Sequence, residues 1–242
     1  LHLSLRRQRQ MCIRDRYSDF YSVPGSSTLQ LKEGVTSNPS LGNRLAPGAV
    51  KYKDQDGDGV ITTNDRTVIG NALPKWYGGI TNTFNYKGID LSFMLQFNYG
   101  NDIYNATRLY ATQTNTQRRN QLAEVADRWS PTNASNKVPS YNGYVVNDVY
   151  SRFVEDGSFL RLKNVTLGYT LPHKWTRKFL VSKLRIYATG QNLFCLNNYS
   201  GYDPEVSTAS KSPMTPGLDW GAYPKSKVFT FGVDLSLIHI SE

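Results

Sequence analysis

Apolar–polar alternation over runs of about ten residues, broken by connections that are short and long in turn, predicts an all-β fold of one kind. It is the C-terminal strands of a large antiparallel transmembrane β-barrel, with long extracellular loops and one short loop helix. The composition agrees with this. Of 242 residues, 39% are hydrophobic and 12% aromatic, with 16 tyrosines, a residue that favours strands. No run reaches the roughly 18 apolar residues of a membrane-spanning helix. That leaves a barrel open, because its lipid-facing residues alternate with polar ones and average away to a mean hydropathy of −0.49.

The clearest strand is Ile89 to Tyr99. Ile89, Leu91, Phe93, Leu95, Phe97 and Tyr99 take alternate positions; Asp90, Ser92, Gln96 and Asn98 fill the others, with Met94 the apolar exception. Successive side chains of a strand point to opposite faces, so one face is apolar and one polar. Tyr77 to Tyr86 precedes it across the tight turn Tyr86-Lys87-Gly88-Ile89. Phe159 to Leu171 follows, with its phase slipping near Lys163 and Asn164, which suggests a β-bulge or a change of environment. Leu184 to Phe194 is next, and Phe229 to Leu237 repeats the pattern. The link from Pro172 to Lys183 is short; those from Gly100 to Ser158 and from Cys195 to Lys225 are long. Barrels alternate in this way because short turns face the periplasm and long loops face outward. Trp76, Tyr77, Tyr86, Tyr99, Tyr169 and Phe194 near strand ends fit interfacial girdles. Within the long connection, Asn115 or Thr116 is expected to cap a helix whose face carries Leu122, Val125, Ala126 and Trp129, ending at Ser130-Pro131.

Five strands cannot close a barrel, which needs at least about eight, and open edges are not tolerated in lipid. The sequence is therefore expected to be a fragment whose missing strands lie upstream. Its organisation reads as a non-native leader (1–16), an extracellular loop region (17–75), barrel strands and loops (76–235) and a non-native tail (236–242). The leader is arginine-rich, and its MCIRDR stretch resembles translated sequencing-adapter read-through. No secretory signal occupies the first thirty or so residues, as expected where the true N-terminus is missing.

The net charge of +9 raises nucleic acid as a partner. Its distribution argues against that, because Arg6, Arg7, Arg9, Arg14 and Arg16 crowd into the leader. Cys12 and Cys195 make neither a disulfide framework nor a metal-binding pair. Of the histidines, His2 and His239 lie in the suspect ends and His173 beside Pro172 in a short turn. No phosphate loop, dinucleotide fingerprint or nucleophile elbow is present, and no carboxylate pair stands out. The reading is of a protein that is not an enzyme.

The most specific local chemistry is KYKDQDGDGVITTND. Asp54, Asp56 and Asp58 alternate, Gly59 follows, and Asp65 falls at the twelfth place of a calcium-type loop. In that pattern Val60 supplies a carbonyl, Thr62 holds a bridging water, and Ile61 anchors the loop on apolar neighbours. Hard oxygen donors at this density suit calcium better than zinc. The pattern departs from a paired EF-hand, with Asp for Glu at the last position and no flanking helices. A solvated Asp/Gly turn is the plainer alternative. Calcium here would be structural, stiffening an external loop.

Taken in order, YKDQDGDGVITTNDRTVIGNALPKWYGG, NYKGIDLSFMLQFNYGNDIYN, DRWSPTNASNKVPS, FVEDGSFLRLKNVTLGYTLP, LRIYATGQNLF, YSGYDPEV and DWGAYPKSKVFTFGVDL resemble the C-terminal end of SusC/RagA-type TonB-dependent outer-membrane transporters. The resemblance spans nearly all of Leu31 to Leu235. It implies a barrel of about 22 strands with an N-terminal plug. It also implies energisation through TonB, a SusD-like surface lipoprotein as lid, and import of large nutrients, glycan oligomers or peptides, in Bacteroidota. Members typically finish on an aromatic residue after a strand like GVDLS; here Leu237 and the tail follow. Two other readings stand beside it: an extracellular β-domain that binds glycan with a calcium-stiffened loop, and a passive porin. Tyr104, Tyr110, Tyr141, Tyr144 and Trp220 fall in the expected external loops, where they serve either sugar stacking or loop packing.

Overall fold

The computed structural model describes residues 8–9, 11–12, 20–22, 29–31, 48–113, 120–133, 137–141, 143, 149–205 and 216–237. Most of the leader, the tail beyond Leu237, Asn115, Thr116 and Tyr144 therefore lie outside the described residues. Two compact units are present. One comprises 1–73, 102–155 and 206–222, and the other 74–101, 156–205 and 223–242.

The second unit is a five-stranded antiparallel meander. Its strands are β1 (Trp76–Tyr86), β2 (Ile89–Tyr99), β3 (Phe159–Thr170), β4 (Val181–Asn197) and β5 (Val228–Leu237), each hydrogen-bonded to the next in chain order. The pairing register puts the alternating residues in common layers. Ile80, Leu95, Leu162 and Phe194 face one way, as do Phe84, Leu91 and Leu167, and Ala188 with Phe231. This apolar face is open to its surroundings: Ile80 is 53% exposed, Leu167 52%, Phe231 81% and Val233 63%. The opposite face carries Thr83 on Ser92, Thr166 on Thr189, and ion pairs.

The expected strands are all present, with β4 longer than its alternation suggested. The bulge is where the phase slip placed it. Register shifts between Leu162 and Asn164 against both neighbours. Against β2 the surplus residue is Lys163, whose ammonium reaches Gln96 on the polar face (2.7 Å), and against β4 the surplus lies in β4, between Gln191 and Phe194. Met94, the exception in β2, lies opposite Asn164 at this bulge. Tyr77 pairs with Asn98 and so belongs to the polar face rather than to an apolar girdle.

The expected helix is placed differently. Ala123–Asp127 makes only a 3-10 turn, and the α-helix is α1 (Ala106–Thr112), capped by the Asn105 side chain on the Arg108 N–H (2.8 Å). Backbone bonds to residues outside the segment flank this turn on either side. Leu122 donates to Ala111 (3.0 Å), and Trp129 donates to Val138 (2.9 Å). Two pieces of the leader, Gln8–Arg9 and Met11–Cys12, pair with Arg66–Thr67 and Lys51–Tyr52. Ladders of two residues are too short to carry a period.

The first unit has its own core of Val50, Tyr52, Ile61, Tyr104, Ala106, Leu109, Tyr150 and Phe153. Tyr104 is buried in it, so it packs the unit rather than waiting for a sugar. Arg108 binds Glu124 (2.9 Å) and Glu155 (3.3 Å) beside this core, and the Arg108 guanidinium holds Glu124 below the usual carboxylate range.

The β1–β2 turn has Lys87 at φ 46° and Gly88 at φ 88°, both left-handed, as a twisted two-residue hairpin requires. A Cβ on Gly88 would also lie 2.7 Å from the Thr170 carbonyl. Gly88→Ala is expected to lower the stability of the refolded protein by about 1–3 kcal/mol, whereas Lys87→Asn, a better left-handed residue, is neutral or stabilising. Urea midpoints of the two variants in lipid vesicles check this.

Candidate functional site

The acidic loop forms because its aspartates bond their own backbone. Asp54 accepts the N–H groups of Gly57 (2.7 Å) and Gly59 (2.8 Å), and Asp58 accepts that of Val60 (2.7 Å). Gly57 and Gly59 take φ of 77° and 80°, a conformation that glycine adopts without strain. The turns bring Asp54, Asp56 and Asp58 together, with one carboxylate oxygen from each within 4.8 Å of the others. Such a trio of hard oxygen donors fits a calcium ion. Crowding has an electrostatic consequence. The Asp58 N–H lowers the Asp56 carboxyl, but desolvation and repulsion from Asp58 and Asp65 outweigh it and push Asp56 up.

Among the other expected ligands, the Val60 N–H is bonded to Asp58, and Asp65 lies close enough to interact with both Asp54 and Asp56. The Thr62 hydroxyl accepts the Asn64 N–H (3.1 Å). Asp65 is fully buried, and its oxygens accept the N–H groups of Gln55 (2.8 Å) and Thr62 (2.6 Å), fastening the two ends of the loop. Ile61 is buried in the adjoining core, as its position in the loop suggested. Sequence reasoning ranked Asp65 with the exposed aspartates; burial, which spacing does not report, separates it from them.

The polar sheet face holds two ion clusters that the motif search missed. Near the long connections, Arg161 pairs with Asp203 at a fully buried site, and Glu205 takes Lys225 (2.6 Å) and Lys163 (3.3 Å). Burial raises the Glu205 carboxyl, but these two lysines more than reverse it, and it titrates below the ordinary range. Asp203 and Glu205 stand in the YSGYDPEV stretch, which the cluster straps across the strands. At the short-turn end, Arg185 of β4 reaches over β3 to hold Asp90 of β2 with two hydrogen bonds (2.9 and 2.6 Å), and Asp234 of β5 with a third (3.0 Å). Gly168 lies beneath that span. Any Cβ there would meet the Asp90 carboxylate at 2.5 Å. Glycine at this position is therefore the condition for a salt bridge between strands that are not neighbours.

A two-faced meander, apolar and open on one side, wet and charged on the other, defines a stretch of transmembrane β-barrel wall. No protein-family model matches the chain. Whole-protein relatives do. The TonB-dependent receptor P3 of Formosa agariphila is 33% identical over 236 residues, which is 96% of this chain and 23% of the receptor. The same organism's TonB-dependent receptor P26 is 36% identical over 78% of this chain and 20% of that protein. The TonB-dependent receptor SusC of Bacteroides thetaiotaomicron is 29% identical over 76% of this chain and 17% of its own length. Among solved structures, the RagAB peptide transporter superposes with a TM-score of 0.65 at 21% identity, over 90% of this chain and 24% of that one. The chain belongs to the SusC/RagA family of TonB-dependent receptors, and it spans about a quarter of the relatives it matches.

Because the folded-state pKa of Asp65 is lowered, its contribution to stability is fully present above the unfolded carboxylate range. It is lost as pH falls from about 4 through the folded value. The physical balance is that burial raises this group, while the N–H groups of Thr62, Gln55 and Asp56 lower it further. Asp65→Asn is expected to cost about 1–3 kcal/mol at neutral pH and to flatten the acid limb below pH of about 4. Hydrogen exchange of amides 52–66 at a series of pH values measures both.

Proposed function

We propose that this chain is part of an outer-membrane importer that is energised through TonB and takes up large nutrients, glycan oligomers or peptides, together with a SusD-like surface lipoprotein. The observation that carries this reading is the exposed apolar face of the meander, joined to similarity with TonB-dependent receptors over nearly the whole chain. The sequence resemblance implies glycan oligomers or peptides, and the fold likeness to the RagAB peptide transporter supports a peptide. The chain's part in transport is structural. Its strands form part of the barrel wall, and the Arg161–Asp203 and Glu205 cluster fixes a long connection against the polar face.

The acidic loop is proposed as a calcium site that stiffens an external loop, with Asp54, Asp56 and Asp58 supplying carboxylates. The mutual approach of their oxygens supports it, and calcium would relieve the repulsion that raises Asp56. Calorimetric titration of the full-length protein with calcium is expected to show heat at or below millimolar concentration, lost in Asp54→Asn/Asp58→Asn. No heat would remove the metal and leave a solvated turn.

A glycan-binding soluble β-domain and a barrel wall respond oppositely to one substitution. Phe231 lies in the middle of β5 on the apolar face. In water, arginine at so exposed a site is close to neutral, whereas facing lipid it costs about 2–4 kcal/mol. Phe231→Arg in the full-length gene product is expected to lower assembly into the outer-membrane fraction and the unfolding midpoint in vesicles. Unchanged yield in a soluble fraction would sink the barrel reading. Growth on oligosaccharide or peptide substrates, with and without TonB, separates an importer from a porin.

A further inference from the structure

The short-turn end of the sheet carries charge that the ion clusters do not use. β3 and β4 are joined through α2 (His173–Thr176), a 3-10 turn (Arg177–Phe179) and a left-handed Leu180. Residues 171–184 include Lys174, Arg177, Lys178 and Lys183 but neither Asp nor Glu. The neighbouring β1–β2 turn contributes Lys87, brought alongside by the Thr170 N–H on the Gly88 carbonyl (2.7 Å). Lys87, Lys174, Arg177 and Lys178 are exposed, and none of the four forms an ion pair with a carboxylate among the described residues, whereas Lys183 shares the polar face with Arg185. Asp90 and Asp234, the acids at this end of the strands, are held by Arg185.

This basic rim is continuous with the apolar face. Tyr86 lies opposite Ile89 on that face and is 68% exposed, and the Lys87 ammonium stands 5.2 Å from the centre of its ring. Trp175, in the middle of the cationic turn, is 62% exposed. Exposed Trp and Tyr at the border of an apolar band, with lysines reaching past them, match the chemistry of a lipid headgroup layer.

We propose that this rim binds the phosphodiester headgroups of anionic phospholipids in the leaflet on the short-turn side of the membrane. The inference rests on the outer-membrane reading above. Charge complementarity and continuity with the lipid-facing surface select the occupant. An acidic soluble protein would meet the cations but leave Trp175 and Tyr86 in water.

The test uses the full-length receptor, delipidated in detergent and placed in nanodiscs of phosphatidylethanolamine with or without phosphatidylglycerol. Native mass spectrometry then counts the phosphatidylglycerol that stays bound on extraction. Wild type is expected to retain it in preference to phosphatidylethanolamine. Lys174→Gln/Arg177→Gln/Lys178→Gln is expected to retain roughly tenfold less, and Lys178→Gln alone a smaller loss. Lys227→Gln, at the other end of β5, should behave as wild type. Heat-modifiable migration on gels confirms that each variant is folded. Equal retention of both lipids by wild type, or undiminished retention by the folded variants, would overturn the proposal, as would capture of an acidic periplasmic protein without lipid preference. A receptor that fractionates with the outer membrane yet shows no preference refutes only this inference. One that does not fractionate there refutes the membrane reading as well.

Discussion

The backbone ladder is the constraint on which the sheet depends. In hydrocarbon an unpaired N–H or C=O has no water to turn to, so every such group in a spanning strand must be answered by a neighbouring strand. That requirement fixes strands of ten or more residues, a meander order and a register in which like faces like. Once the ladder is fixed, side chains divide by parity. The apolar set is left largely open to the surroundings, and the polar set is free to hold charges. Arg185 shows what this freedom permits. Its bridge to Asp90 crosses a strand whose only contribution at that point is Gly168, the absence of a side chain.

The strands were legible because the period of two is strong in β2 and β5 and because an exposed apolar face leaves no doubt about phase. The Lys163 bulge was legible for the same reason: alternation that breaks and resumes marks an inserted residue. The α-helix was misplaced because helical spacing over 122–129 competes with backbone bonds to Ala111 and Val138, partners that sequence distance hides. Tyr104 and Tyr77 show a related limit. Both are aromatic and both stand in plausible places, yet one is buried in a loop core and the other belongs to the wet face, outcomes decided by pairing.

The acidic loop was readable as a cluster but not as a hierarchy. Regular spacing suggested equal ligands. The fold engages Asp65 with the backbone N–H groups of Gln55 and Thr62, which closes the loop, while its charge still adds to the crowding around Asp56. The ion clusters on the sheet were not readable at all. Arg161 and Asp203, or Asp90 and Arg185, are far apart in the chain and carry no motif; only the register brings them together.

The bulge at Lys163 has a bearing on how such a wall evolves. Above and below it, the two halves of β3 keep their own alternation, joined through one surplus residue. A change of length elsewhere in an unbulged strand would transpose a whole run of side chains, sending leucines to the lumen and arginine into lipid. At the bulge, loss of the surplus residue would restore a regular ladder with β2 while both halves of β3 keep their faces. The strand thus contains one point at which loss of a single residue is forgiven on the β2 side, in an architecture that otherwise punishes changes of length.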